Sequence, residues 1–268
     1  MGAGVEHSRE AAPPDERAPG GPEGDATSRP RGSVPRRAAL VLGVAAAAVL
    51  AANPATRLFA AWRRRSDPDY GDDIPLLFDV NTESTVPTWF SVALLLMVSG
   101  VALLLLVLAR STAVHGEWWR WGVLAGLFAA MSLDESAAIH ERLGGGVASD
   151  LDLGGGGLLR HAWVVVGAPL ALALVAAVVW AVAGLASTLR RGVLVGLGVY
   201  LGGALGLEAL SGWMLDRVGD GMAYAAVTWA EEGAEMAGTI IVVCSLLGAL
   251  DLRTSDGVLR VARASSPR

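Results

Sequence analysis

The chain has neither lysine nor glutamine, so all 21 of its basic residues are arginine. That leaves no Lys-rich patch of the kind expected on a nucleic-acid partner. Cysteine is nearly absent too. Cys244 stands alone in an apolar run, which excludes an intrachain disulfide and every Cys-based metal motif. Charge is scarce, at 18% of 268 residues with a net −5. Nucleotide-binding motifs are missing: the glycine runs Gly144 to Gly146 and Gly154 to Gly157 lack the strand, the Lys-Ser/Thr pair and the acidic follower such a site needs, and read as flexible linkers. No Gly-x-Ser-x-Gly elbow occurs, and no serine pairs clearly with a histidine.

Apolar sequence fills the chain instead. Hydrophobic residues make up 53% and mean hydropathy is +0.48, too apolar for an ordinary soluble domain. The expected fold is all-α, a polytopic membrane bundle of about six helices. Six apolar stretches each approach the ~20 residues a span requires: Ala38 to Trp62, Thr88 to Ala109, Trp119 to His140, His161 to Leu185, Gly192 to Leu215 and Ala225 to Leu250. In the first, Asn53, Pro54 and Arg57 interrupt the second half and predict a tilt, kink or partial insertion. Residues 1–36, rich in Pro, Gly, Arg and Glu, read as a disordered cytoplasmic tail, residues 37–251 as the transmembrane domain and residues 252–268 as a short cytoplasmic tail. The segment Ser33 to Leu40 has a loose twin-arginine character, but further spans follow and favour an uncleaved first helix.

Arginine near the helix ends sets the expected orientation. Arg36, Arg37, Arg110, Arg120, Arg190, Arg191, Arg253, Arg260 and Arg263 fall in alternate segments, all on one side of the spans, and place both termini in the cytoplasm. The opposite loops carry Asp67, Asp69, Asp72, Asp73, Asp150, Asp152, Asp216 and Asp220. Only the run Arg63 to Arg65 breaks the pattern. Trp89, Trp118, Trp119, Trp121, Trp163 and Trp213 suit an interfacial aromatic belt.

In that topology ten ionisable residues gather at the extracytoplasmic end: Glu83, Asp134, Glu135, His140, Glu141, His161, Glu208, Glu231, Glu232 and Glu235. Unpaired charge at such depth is expensive, so the cluster marks a candidate site. At about 100° per residue, Asp134 and Glu141 lie nearly in line on the third helix, while Glu135 and His140 diverge, with His140 able to turn toward His161. Thr228, Glu231, Glu232 and Glu235 share one arc of the sixth helix, which must face protein or water. Gly202, Gly203, Gly206 and Gly212 would let the fifth helix approach a neighbour closely beside Glu208. Ser132 and Ser136 flank Asp134 as hydrogen-bond partners.

Three chemistries compete. Carboxylates with one or two histidines suit zinc, iron or manganese, although the spacing matches neither Glu-x-x-His nor His-Glu-x-x-His. The same acids suit a proton or cation relay in a carrier, with groups such as Glu231 and Glu235 sharing a proton; the absence of an inverted repeat and the position at one end count against it. Taken singly, Glu83, Glu141 and His161 suit plain interfacial residues.

The segments FDVNTESTVPTWFS, SLDESAAIHERLG and WAEEGAEMAG, spread over Phe78 to Leu250, resemble those of uncharacterised bacterial multi-pass membrane proteins, which implies a helical membrane protein and no activity. Asp134 and His140 loosely match the zinc-holding residues of the alkaline-ceramidase and adiponectin-receptor hydrolases. The paired late histidines of that group are missing here, so its zinc hydrolysis is not carried over.

The expected protein is thus a cytoplasmic-membrane, multi-pass chain embedded in the lipid bilayer, with no nucleic-acid partner. Its leading function is a metal-dependent membrane-embedded enzyme acting on a lipid-borne substrate. Asp134, His140, Glu232 and Glu235 are the expected ligands of a divalent metal, Glu208 and Glu231 the proton-transfer groups, and Glu83, Glu135, Glu141 and His161 further pocket candidates. The alternatives are a proton- or cation-coupled transporter and a structural or accessory membrane subunit.

Overall fold

Long apolar blocks between Arg- or Asp-bearing turns leave the backbone one economical solution in lipid, the α-helix. The computed structural model describes residues 33–111, 118–140, 142–143, 146, 163–255 and 258–264. Its helices are α1 (Ser33–Arg63), α2 (Asp73–Leu77), α3 (Val86–Ser111), α4 (Trp118–Ala137), α5 (Trp163–Val182), α6 (Ser187–Leu201), α7 (Glu208–Val218) and α8 (Met222–Leu247). A π-helical segment, Gly202–Leu207, joins α6 to α7 without a break. The expected all-α fold is present, with a small hairpin at its end. Among the described residues, three helices are long and apolar enough to cross a membrane: α1, α3 and the continuous Ser187–Val218 rod. The apolar part of α5, Ala168–Val182, is shorter. Arg120, Asp134 and Glu135 in α4, and Glu231, Glu232 and Glu235 in α8, interrupt helices of otherwise comparable length.

Neighbouring helices α3, α4, α5, α6 and α8 touch in turn and close a ring, with α1 packed outside against α8 and α3. The two ends of this ring differ. At one, Leu95, Val98, Leu105, Trp121, Leu124, Phe128, Val178, Val182, Val193, Val243 and Leu246 form a buried apolar core. Apart from Leu95 and Val98 near the middle of α3, these positions lie toward the C-terminal ends of α3, α5 and α8 and the N-terminal halves of α4 and α6, so the core plugs the end bearing Arg110, Arg120, Arg190 and Arg191. Trp121, expected in an interfacial belt, is only 1% exposed and belongs to this plug. Large apolar side chains such as Leu40, Val44, Val107, Leu172, Trp180 and Val195 cover the outer surface, an apolar exterior that suits lipid contact.

Polar contacts tie the ring together. Ser99 Oγ donates to Ala125 O at 2.9 Å and Ser132 Oγ to Val92 O at 3.1 Å, both linking α3 and α4. Ser136 bonds its own helix at Leu133 O, so neither serine serves Asp134 as expected. Arg120 Nη1 donates to Trp180 O and Ala181 O at 3.3 and 3.1 Å, satisfying carbonyls at the end of α5 as a cation there should.

Close approach of α6 to α8 depends on small residues. A Cβ at Gly196 would stand 2.6 Å from Gly238 O, and one at Gly238 would stand 2.5 Å from Gly196 O and from Tyr200 N. Gly203 likewise faces Glu231 O and Ala234. Gly202 and Gly206, expected at this contact, have nothing within 4 Å; the stripe of helical spacing runs through Gly192, Gly196 and Gly203 instead.

In α1 the helix runs unbroken across Pro54. Proline has no N–H to give the carbonyl four residues back, which frees Leu50 O. Trp229 Nε1 of α8 takes that carbonyl at 3.0 Å. Ser33 to Arg36, expected in the disordered tail, form the first turn of α1, and residues 1–32 lie outside the described residues. Beyond α8, the stretch expected as a tail pairs as an antiparallel hairpin, β1 (Leu250–Ser255) with β2 (Val258–Arg263). Between the strands the sequence is Asp256-Gly257, a dipeptide favoured in two-residue hairpin loops.

Candidate functional site

Opposite the apolar plug, α3, α4, α5, the α6–α7 rod and α8 surround a partly open cavity of about 970 Å³. Eight of the ten expected residues line it: Glu83, Asp134, Glu135, His140, Glu208, Glu231, Glu232 and Glu235. The other two, Glu141 and His161, lie outside the described residues. Among the described residues, no arginine lines the cavity.

Helix α4 was expected to continue through His140, which would send His140 and Asp134 to different faces. It ends at Ala137. Ala138 adopts a left-handed φ of 47°, and the chain folds back so that Asp134 Oδ1 accepts the His140 backbone N–H at 2.9 Å while Oδ2 meets Nδ1 at 2.7 Å. A carboxylate thereby fixes the imidazole's orientation, a role short Asp performs well when a turn brings the ring back.

The acidic arc of α8 faces the cavity as its spacing requires, with Thr228, Glu231, Glu232 and Glu235 all in the lining. Glu231 and Glu232 are half-buried and Glu235 is 8% exposed. From the α6–α7 rod come Tyr200, Ala204, Glu208 and Ser211, a stripe at steps of four, four and three that straddles the π segment. π turns are rare and occur often at functional sites; here the segment lies between Tyr200 and Glu208.

A strap closes one side. Residues Val80, Asn81, Thr82 and Glu83 line the cavity, and their approach is pinned from α1: Asn53 Nδ2 donates to Phe78 O at 2.9 Å and Arg57 Nη2 pairs with Asp79 Oδ2 at 2.8 Å. Asp79 Oδ1 also accepts from Asn81 N, and Tyr224 OH of α8 donates to Asn81 Oδ1 at 2.9 Å. Ser84, at φ 60°, turns the strap into α3. Asn53 and Arg57, which look like defects in an apolar helix, are the strap's anchors. Sequence inspection missed Tyr200, Tyr224, Asn81 and Asp79; only Tyr200 had a local signal, standing two helical turns before Glu208.

The four expected metal ligands thus share one cavity but not one point. Among the described residues, no three His, Cys, Asp or Glu side chains converge closely enough to hold a metal ion. What the arrangement offers directly is an oriented imidazole, seven carboxyl groups and an apolar wall.

No curated protein and no solved structure matches the chain. Residues 40–250 match the family described as a domain of unknown function, DUF8692; that span runs from within α1 to the start of β1, and the chain belongs to this family.

Proposed function

We propose that the chain is a six-span protein of the cytoplasmic membrane, both termini inside, and that its acidic cavity is the active site of a membrane-embedded enzyme whose substrate is lipid-borne. One observation carries this: among the described residues, the Asp134–His140 pair sits in a cavity lined by seven carboxyl groups and no arginine. An imidazole held by a carboxylate is suited to accept and return a proton, and Glu208 and Glu231 are further proton-transfer groups in the same space. The orientation is supported by Arg110, Arg120, Arg190 and Arg191 at the plugged end. The exceptional run has an explanation as well, since Arg64 pairs with Asp72 and Arg63 stacks 5.4 Å over Tyr70.

In its metal-dependent form, this reading has Asp134, His140, Glu232 and Glu235 holding zinc, iron or manganese, which requires α8 to close on the Asp134–His140 pair. Elemental mass spectrometry of purified wild-type protein and the Glu232→Gln, Glu235→Gln variant tests that form: stoichiometric metal lost in the variant supports it, and metal retained in the variant refutes the ligand set. The enzyme reading itself is tested by incubating reconstituted protein with a total polar lipid extract and following the lipids by mass spectrometry. A species consumed by wild type should persist with His140→Ala, a proton-transfer group contributing about 10²–10⁴-fold in rate. Equal consumption by that variant, or none by wild type, would overturn the reading.

The π segment favours a second reading, a proton- or cation-coupled carrier, because it gives the rod beside Glu208 a shifted register. The buried plug at the other end weighs against it. Uptake of a cation by sealed vesicles, abolished in the double Gln variant, would promote that reading.

A further inference from the structure

The cavity has two kinds of wall. Leu127 and Met131 of α4 with Leu170 and Leu174 of α5 form an apolar face, whereas Asp134 and Glu135 near the end of α4 and Glu231, Glu232 and Glu235 of α8 are acidic. Glu235 is the most buried of the acids that line the cavity, one turn beyond Glu231 and next to the buried Met236. It is more than nine-tenths buried. Among the described residues no hydrogen-bond donor or arginine meets its carboxyl group; Thr239 donates only to its backbone carbonyl. On the rod side its stem packs against the π segment, where a Cβ at Gly203 would stand 3.0 Å from Glu235 Cγ. A buried carboxylate without a partner is costly, and a cation arriving through the cavity would relieve it.

The kind of cation follows from the surroundings. A metal ion needs several converging ligands, and none of the described groups provides three. An organic ammonium needs a carboxylate for its head and apolar surface for its carbon body, and aromatic rings favour it further; Tyr200 and Tyr224 both line the space.

We propose that the cavity binds an amphiphilic amine, its ammonium group paired with Glu235 and its hydrocarbon part lying against Leu127, Met131, Leu170 and Leu174. The inference rests on the enzyme reading above, in a form without metal at Glu235, and names the substrate class of that site: a lipid or lipid-like molecule with a cationic amino head.

The test is calorimetric binding of hexylammonium, hexan-1-ol and manganese(II) to the full chain in nanodiscs, with empty nanodiscs subtracted. Hexylammonium should bind at least tenfold more tightly than hexan-1-ol, and Glu235→Gln, checked for helicity by circular dichroism, should weaken it at least tenfold. Equal affinity for the alcohol overturns the proposal on wild-type protein alone. So does an affinity unchanged in a folded Glu235→Gln variant, or stoichiometric manganese lost in that variant. The two readings fail separately: turnover of a lipid without an amino group removes the amine and leaves the enzyme, whereas amine binding with no lipid turnover supports this site and removes the enzyme.

Discussion

Pro54 and Trp229 form a pair whose energetics can be isolated. Pro54 withholds the N–H that would occupy Leu50 O, and Trp229 Nε1 supplies a donor from α8 at 3.0 Å. Leu50 is 7% exposed, so without the indole its carbonyl is left buried with no replacement donor. Hydrogen bonds between membrane helices average ~0.6 kcal/mol with a maximum of ~1.7, and a buried acceptor left unsatisfied costs ~1–3 kcal/mol. Trp229→Phe should therefore destabilise the fold by about 1–2 kcal/mol, including a share for lost packing. In a Pro54→Ala background the new backbone N–H reaches Leu50 O, leaving only the packing share. Reversible unfolding in mixed micelles, followed by circular dichroism on all four members of the double-mutant cycle, should give a coupling of about 1 kcal/mol. A Trp229→Phe cost that is the same in both backgrounds would refute the assignment.

Gly238→Ala should lower stability by about 1–3 kcal/mol, because the added methyl meets backbone atoms of Gly196 and Tyr200 that cannot rotate away. Gly202→Ala, with open space around it, should be neutral or stabilising by up to ~1 kcal/mol; thermal unfolding of the two variants checks both signs. Ser99→Ala removes the buried bond to Ala125 O and should cost about 0.5–1.5 kcal/mol, read from the same assay. Arg57→Ala should speed hydrogen exchange at the amides of residues 79–82 while changing global stability by less than ~1 kcal/mol, since Arg57 is more than half exposed and its pair with Asp79 is screened accordingly. Unchanged exchange would mean that Asn53 and Tyr224 hold the strap alone.

Helix content and the acidic face of α8 were legible from the chain alone, because a long apolar run in lipid must satisfy its backbone internally and three glutamates within one arc have only one direction to point. Membership of the cavity was legible for Asp134, Glu135, Glu208 and Glu235 for the same reason: charge at that depth needs a common polar space. Their pairing was not. A left-handed residue at Ala138 is not signalled by alanine, so the reversal that puts His140 on Asp134 could not be read from helical angles. The strap was equally hidden, since Asn53 and Arg57 find Phe78 and Asp79 more than twenty residues away. Which glycines meet α8 depended on rotation about the helix axis, and the π segment that alters it leaves no reliable trace in GGALGL. Periodicity and composition act locally, and so they determined the helices and the end at which charge collects. Packing of one helix on another fixed the rotations and the reversal, and only the tertiary structure could decide which of those charges meet.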